Sequence, residues 1–119
     1  MTSMSFDDVL LVPQYSDIES RKVLTTSNDL GDVRLGLPII SSPMDTVTED
    51  LMALAIDNHG GLGIVHRYNS IGEQAAIVKE LSAAVCKNIG AAIGVTGDFL
   101  ERAQELVGKG ANVICIDVA

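Results

Sequence analysis

Four short apolar runs recur along this chain at nearly even intervals, each leading into a polar turn. They are Pro38 to Ser42, Leu62 to His66, Ile89 to Val95 and Val113 to Val118, with starts 24, 27 and 24 residues apart. That spacing holds one strand and one helix with their turns, and it is too long for an array of β-hairpins. The runs are rich in Val, Ile and Ala and scarcely alternate, as expected of strands covered on both faces in a parallel sheet. Amphipathic stretches fill the gaps and predict helices over Val47 to Asn58, from Ser70 to about Ala84, and from Asp98 to about Gly108. Each opens on a capping-box pair, Thr46 with Glu49, Ser70 with Glu73, and Asp98 with Glu101, and glycines follow the first and third. The fold class is α/β.

A parallel sheet of this size with three helices can bury one face well, and the other face needs a cover the chain does not supply. Two open strand edges are a further liability. The last run reaches Ala119, where the next helix would begin. We therefore expect half of a TIM (β/α)8 barrel, completed by a complementary half or by copies of the chain itself. On this reading residues 1–37 are an N-terminal extended segment and residues 38–119 a partial barrel. Within the first, Leu10 to Val12 ahead of Pro13 suits an edge strand, and Gln14 to Lys22 reads as a polar connection.

Composition removes several function classes. A net charge of -8 and the absence of Trp argue against nucleic acid as a partner. No apolar run approaches the roughly 18 residues of a membrane span, and Met1 to Ser20 lacks the pattern of a signal peptide. Cys86 and Cys115 show no metal-ligand spacing, and the reducing cytoplasm is the expected compartment.

In a parallel sheet the C-terminal strand ends lie side by side. Here they gather Ser42, Met44 and Asp45, then His66 and Arg67, then Thr96, then Asp117, in a chain with only eight basic residues and two histidines. Such a rim is where barrels of this architecture bind ligands. Each member also has a structural explanation: His66 as a packed histidine, Arg67 as an ion-pair partner, Asp117 as a cap. Cys115 inside a strand reads as core, and Cys86 lacks the basic neighbour that would activate a thiolate.

Four stretches carry a resemblance: Ser5 to Pro13 (SFDDVLLVP), Pro38 to Glu49 (PIISSPMDTVTE), Gly60 to Arg67 (GGLGIVHR) and Ile116 to Ala119 (IDVA). In order and spacing they resemble the IMP dehydrogenase/GMP reductase family from end to end. The resemblance implies a (β/α)8 barrel that handles a purine nucleotide and a nicotinamide cofactor, with this chain as the first half of the barrel. It implies that Ser42 and Met44 border the nucleotide, Met44 packing on the base. Asp117 would contact the cofactor ribose with Val118 and Ala119 beside it, and Ser20 and Arg21 match positions used for the dinucleotide. Arg67 stands where GMP reductases have a lysine, and an arginine there suits a 2'-phosphate, hence NADP(H) over NAD(H).

The resemblance also implies what lies elsewhere. The CBS modules usual in IMP dehydrogenases have no room, since only Ala84 to Asn88 joins the second helix to the third strand. The short link leans toward GMP reductase (GMP to IMP with NADPH), with an IMP dehydrogenase lacking CBS modules (IMP to XMP with NAD) as the alternative. The family's nucleophilic cysteine, potassium site, phosphate-binding glycines and acid/base residues fall in the later half. Neither Cys86 nor Cys115 matches the nucleophile, so the chain alone is expected to be inactive. A non-catalytic half-barrel that self-assembles or binds a partner remains the reading from a different class.

Overall fold

In the computed structural model, which describes residues 4–118, the recurring unit folds as its spacing requires. Strands β1 (Asn28–Leu30) and β2 (Val33–Leu35) form an antiparallel hairpin, followed by β3 (Ile40–Ser41), α1 (Asp50–Asn58), β4 (Leu62–Val65), α2 (Ile71–Ala83), β5 (Ile89–Ile93), α3 (Phe99–Lys109) and β6 (Val113–Ile116). The last four strands make one parallel sheet in the order β3-β4-β5-β6, with Ile40 opposite Leu62, Ile64 opposite Gly90, and Ala92 opposite Cys115. Sequential order with a helix in every crossover is the topology of half a (β/α)8 barrel.

The period-2 geometry of the strands sorts their side chains onto two faces. Val65, Ile89, Ala91 and Ile93 meet Ala53 of α1, Ala75, Val78 and Leu81 of α2, and Leu106 of α3 in the larger core. Gly63 sets the distance of α1 from the sheet. A Cβ there would lie 2.5 Å from the Ala53 Cα, so any larger residue would push the helix off β4.

On the opposite face Leu62, Ile64 and Ala92 pack with Leu35, and Val33, Val113 and Cys115 border them. The face expected to lack a cover is thus partly covered from within the chain, by a hairpin the sequence reading did not contain. Its turn is Gly31-Asp32, with Gly31 at φ +60°. Positive φ at the first turn position alone is the II' arrangement, which glycine adopts without steric cost.

Three expectations need correction. Leu10 to Val12 is exposed and pairs with no strand among the described residues. The Thr46 and Glu49 capping box does not form: α1 begins later, at Asp50, without a side-chain cap. The chain first makes a tight turn in which the Met44 carbonyl accepts from the amides of Val47 and Thr48, and this turn faces Thr48 inward. Asp98 occupies the N-cap of α3 but does not cap it, because its carboxylate is bound to Arg102 one helical turn on. The Ser70 and Glu73 box forms as expected, with Ser70 N–H donating to Glu73 Oε2 at 2.9 Å and Glu73 N–H to Ser70 Oγ at 3.2 Å.

The Cα radius of gyration is 17.3 Å, against about 13.5 Å for a compact chain of this length. Residues 4–26 are exposed along their whole length, and among the described residues the hydrogen bonds of Met4 to Leu24 are local.

Candidate functional site

The loops leaving the C-terminal ends of the parallel strands share one end of the sheet, and the polar residues of the rim occupy them. Thr48 organises the loop after β3. It is fully buried, and its hydroxyl donates to the Ser42 carbonyl at 2.6 Å. The same hydroxyl points to Ser41 Oγ, 3.0 Å away, so its single proton is shared between two acceptors, the shorter contact being to the carbonyl. Ser42 and Met44 stay exposed on this loop, Met44 by half.

At the end of β4 the His66 ring is buried at 3% exposure. Its Nδ1 accepts from the Tyr68 amide at 3.1 Å, which leaves the proton on Nε2 to donate to Glu49 Oε1 at 3.1 Å. The carboxylate expected to cap α1 serves the imidazole instead. The Tyr68 ring stacks beside the imidazole with centroids 6.2 Å apart, and the Arg67 guanidinium lies 5.4 Å from the Tyr68 centroid.

Arg67 then reaches across the end of β5. Its Nε donates to the Asp117 carbonyl at 3.1 Å and lies 3.5 Å from Asp117 Oδ2. A Cβ on Gly94 would sit 3.5 Å from Arg67 Nη1, so the guanidinium passes this glycine at van der Waals distance. The Asp117 amide donates to the Ile93 carbonyl at 2.9 Å, which continues the β5–β6 ladder by one residue. Three adjacent strand ends are tied together in this way. The two terminal nitrogens of Arg67 donate to no protein acceptor among the described residues.

The other predicted site residues are distributed differently. Ser42 and Met44 stand at the same end of the sheet on its opposite edge, and no hydrogen bond or ion pair among the described residues joins them to Arg67 or Asp117. Ser20 and Arg21 lie on the exposed N-terminal segment, where Ser20 Oγ accepts from the Lys22 amide at 3.3 Å. No bond among the described residues brings them to the rim. Val118 is half exposed just beyond Asp117, and Ala119 falls outside the described residues.

Sequence reasoning missed a second polar cluster beneath the rim. Gln74 is fully buried, and its Nε2 donates to the carbonyls of Ala92 at 2.9 Å and Val65 at 3.3 Å. Its Oε1 accepts from Arg102 Nη1 at 2.9 Å. Arg102 also donates to the Asn69 carbonyl and to both Asp98 oxygens, and this guanidinium beside Asp98 holds its carboxyl below the usual range. The signal was a glutamine on the apolar stripe of α2, with Ala75, Val78 and Leu81. Buried strand carbonyls need donors, and Gln74 supplies one to Val65 and one to Ala92.

Both thiols are poor nucleophiles. Burial, reinforced by Asp57, pushes Cys86 above the ordinary cysteine value, and burial with Asp117 does the same to Cys115. Among the described residues no cluster of three or more His, Cys, Asp and Glu could hold a metal ion. No helix among them is long and apolar enough to cross a membrane.

A sequentially ordered parallel sheet with its chemistry at the strand C-termini defines a (β/α)-barrel protein with a rim site. Comparison with known proteins gives the family. The family model described as IMP dehydrogenase / GMP reductase domain matches residues 3–119, and the chain belongs to that family of purine-nucleotide oxidoreductases. It is 46% identical over 82 residues to a GMP reductase of Leishmania donovani, covering 68% of this chain and 17% of that protein. It is 42% identical over 113 residues to an inosine-5'-monophosphate dehydrogenase of Methanocaldococcus jannaschii, covering 92% and 21%. A third relative, an inosine-5'-monophosphate dehydrogenase of Korarchaeum cryptofilum, is 41% identical over 106 residues, covering 88% and 22%. The chain thus spans about a fifth of the length of the curated relatives it matches.

Proposed function

We propose that this chain contributes the first four strands of the barrel of an NAD(P)-dependent purine-nucleotide oxidoreductase, GMP reductase-like in reducing GMP to IMP with NADPH. The observation that carries the reading is the Arg67–Asp117 arrangement. Asp117 keeps about a third of its side chain exposed and offers carboxylate acceptors suited to a ribose diol. Arg67, anchored among the described residues through Nε, has both terminal nitrogens without an acceptor among them, and a planar guanidinium fork matches a 2'-phosphate. These residues fit a phosphorylated dinucleotide. When bound, the nicotinamide supplies the hydride exchanged at the purine C2 carbon.

The residues of this chain bind and orient. Arg67 and Asp117 would hold the cofactor, while Ser42 and Met44, on the loop fastened by Thr48, would border the purine, with the Met44 thioether free to pack on the base. Ser20, Arg21, Val118 and Ala119 belong to the same cofactor proposal. The nucleophile and the potassium site would come from the remainder of the barrel, consistent with two thiols held protonated here.

An IMP dehydrogenase reading is supported by the two relatives that cover 92% and 88% of this chain, both inosine-5'-monophosphate dehydrogenases. Co-expression of the chain with the C-terminal barrel half of a curated relative distinguishes the readings. GMP-dependent NADPH oxidation is the expected result, and IMP-dependent NAD reduction would establish the alternative. The chain alone should turn over neither substrate. A folded complex that is inert with both would leave a non-catalytic scaffold as the answer.

A further inference from the structure

We propose that His66 is a positioning residue, which aims the Arg67 guanidinium at the end of β6 by clamping the turn that carries it. The hydrogen bond from the Tyr68 amide to His66 Nδ1 closes directly around Arg67, the residue between them. The same imidazole lies against the Tyr68 ring at an interplanar angle of 19°, and that ring is the platform next to which the guanidinium rests. One buried side chain therefore fixes both the backbone that Arg67 leaves from and the surface it lies along.

The imidazole is fixed in turn. Its Nε2–H donates to Glu49 at the N-cap of α1, and its backbone amide faces the Thr48 carbonyl at 3.4 Å. A flipped ring would forfeit both ring bonds while its own nitrogens stay buried. Arg67 has a long flexible stem and, among the described residues, one anchoring donor, at Asp117. Without a fixed origin that donor would compete with many solvated rotamers.

A packing role and a positioning role order two substitutions oppositely. His66→Leu keeps apolar bulk and removes the acceptor. His66→Asn removes bulk but keeps an acceptor where Nδ1 stood, because asparagine Oδ1 accepts from the amide two residues on. The readouts are hydrogen exchange of the Tyr68 amide and the NMR signal of Arg67 Nε–H, on the full chain without ligand, so that this inference and the proposed activity can fail separately.

His66→Asn should keep Tyr68 protection and the Arg67 signal close to those of the unsubstituted chain. His66→Leu should lose the Arg67 signal and about tenfold of the protection, the equivalent of one hydrogen bond. Equal or better retention in His66→Leu would overturn the proposal. Should neither variant fold, 15N NMR of the unsubstituted chain decides: a protonated Nε2 with a bare Nδ1 supports the clamp, and the opposite tautomer eliminates it.

Discussion

Thr48 and Val85 carry opposite messages about what a single residue costs this fold. Thr48 is buried with its one hydroxyl joined to Ser41 and to the Ser42 carbonyl. Thr48→Val preserves shape and removes the hydroxyl, while the exposed Ser42 carbonyl keeps the Met44 amide as a donor, so a loss of about 0.5–1.5 kcal/mol, one ordinary hydrogen bond, is expected in chemical denaturation. Val85 is largely exposed and adopts φ +62° in the link after α2. That left-handed conformation costs a residue with a Cβ roughly 1–2 kcal/mol, whereas glycine loses about 0.5–1 kcal/mol more backbone entropy on folding. Relief exceeds entropy, and Val85→Gly should raise the stability by up to about 1 kcal/mol in the same measurement. The sequence hid Thr48 for a definite reason. Thr46, Thr48 and Glu49 all have capping chemistry, and which hydroxyl faces inward depends on the turn around Met44 and on β4, neither of which is local to the motif. Arg67 and Asp117 were legible as rim residues because Arg67 directly follows one apolar run and Asp117 stands near the end of another, and their mutual contact spans 50 residues.

At the scale of elements, α2 offers the clearest test of local chemistry. Ser70 hydroxyl and amide bonds to its carboxylate lower the Glu73 pKa from the ordinary glutamate value. A carboxylate depressed in the folded state stabilises above its unfolded value, and that contribution is lost as the pH falls through the lowered folded one. Glu73→Ala should therefore be less stable than the unsubstituted chain at neutral pH, with the gap closing on acidification below the usual glutamate range. Glu73→Gln should keep the cap and lose that pH dependence, both followed by thermal melts across pH. The parallel units were readable because 24 to 27 residues leave room for little else. The hairpin was not. Its strands have three residues each, too short for alternation to register, and only the Gly31-Asp32 pair announced it. Helix starts failed where a stronger partner claimed the capping side chain, His66 for Glu49 and Arg102 for Asp98.

The whole molecule sets two forces against each other, and salt separates them. Phe6, Leu10, Leu11 and Tyr15 are each more than nine-tenths exposed, and on the two outer strands of the parallel sheet Ile40 is 44% and Ile116 63% exposed. Apolar surface of this extent favours association. A net charge of -8 opposes it through repulsion between copies. Screening shortens the reach of that repulsion from about 30 Å at 0.01 M salt to about 10 Å at 0.1 M, while the apolar attraction persists. Self-association of the isolated chain, followed by sedimentation velocity, should therefore rise with ionic strength, together with binding of an apolar fluorescent dye. Addition of a complementary C-terminal barrel half should suppress both, because the same surface is then covered and both sheet edges are paired. Association that stops at a dimer and displaces the dye would instead mean that a second copy supplies the missing strands. Association that weakens with salt would show that charge, and not the open sheet, brings the copies together.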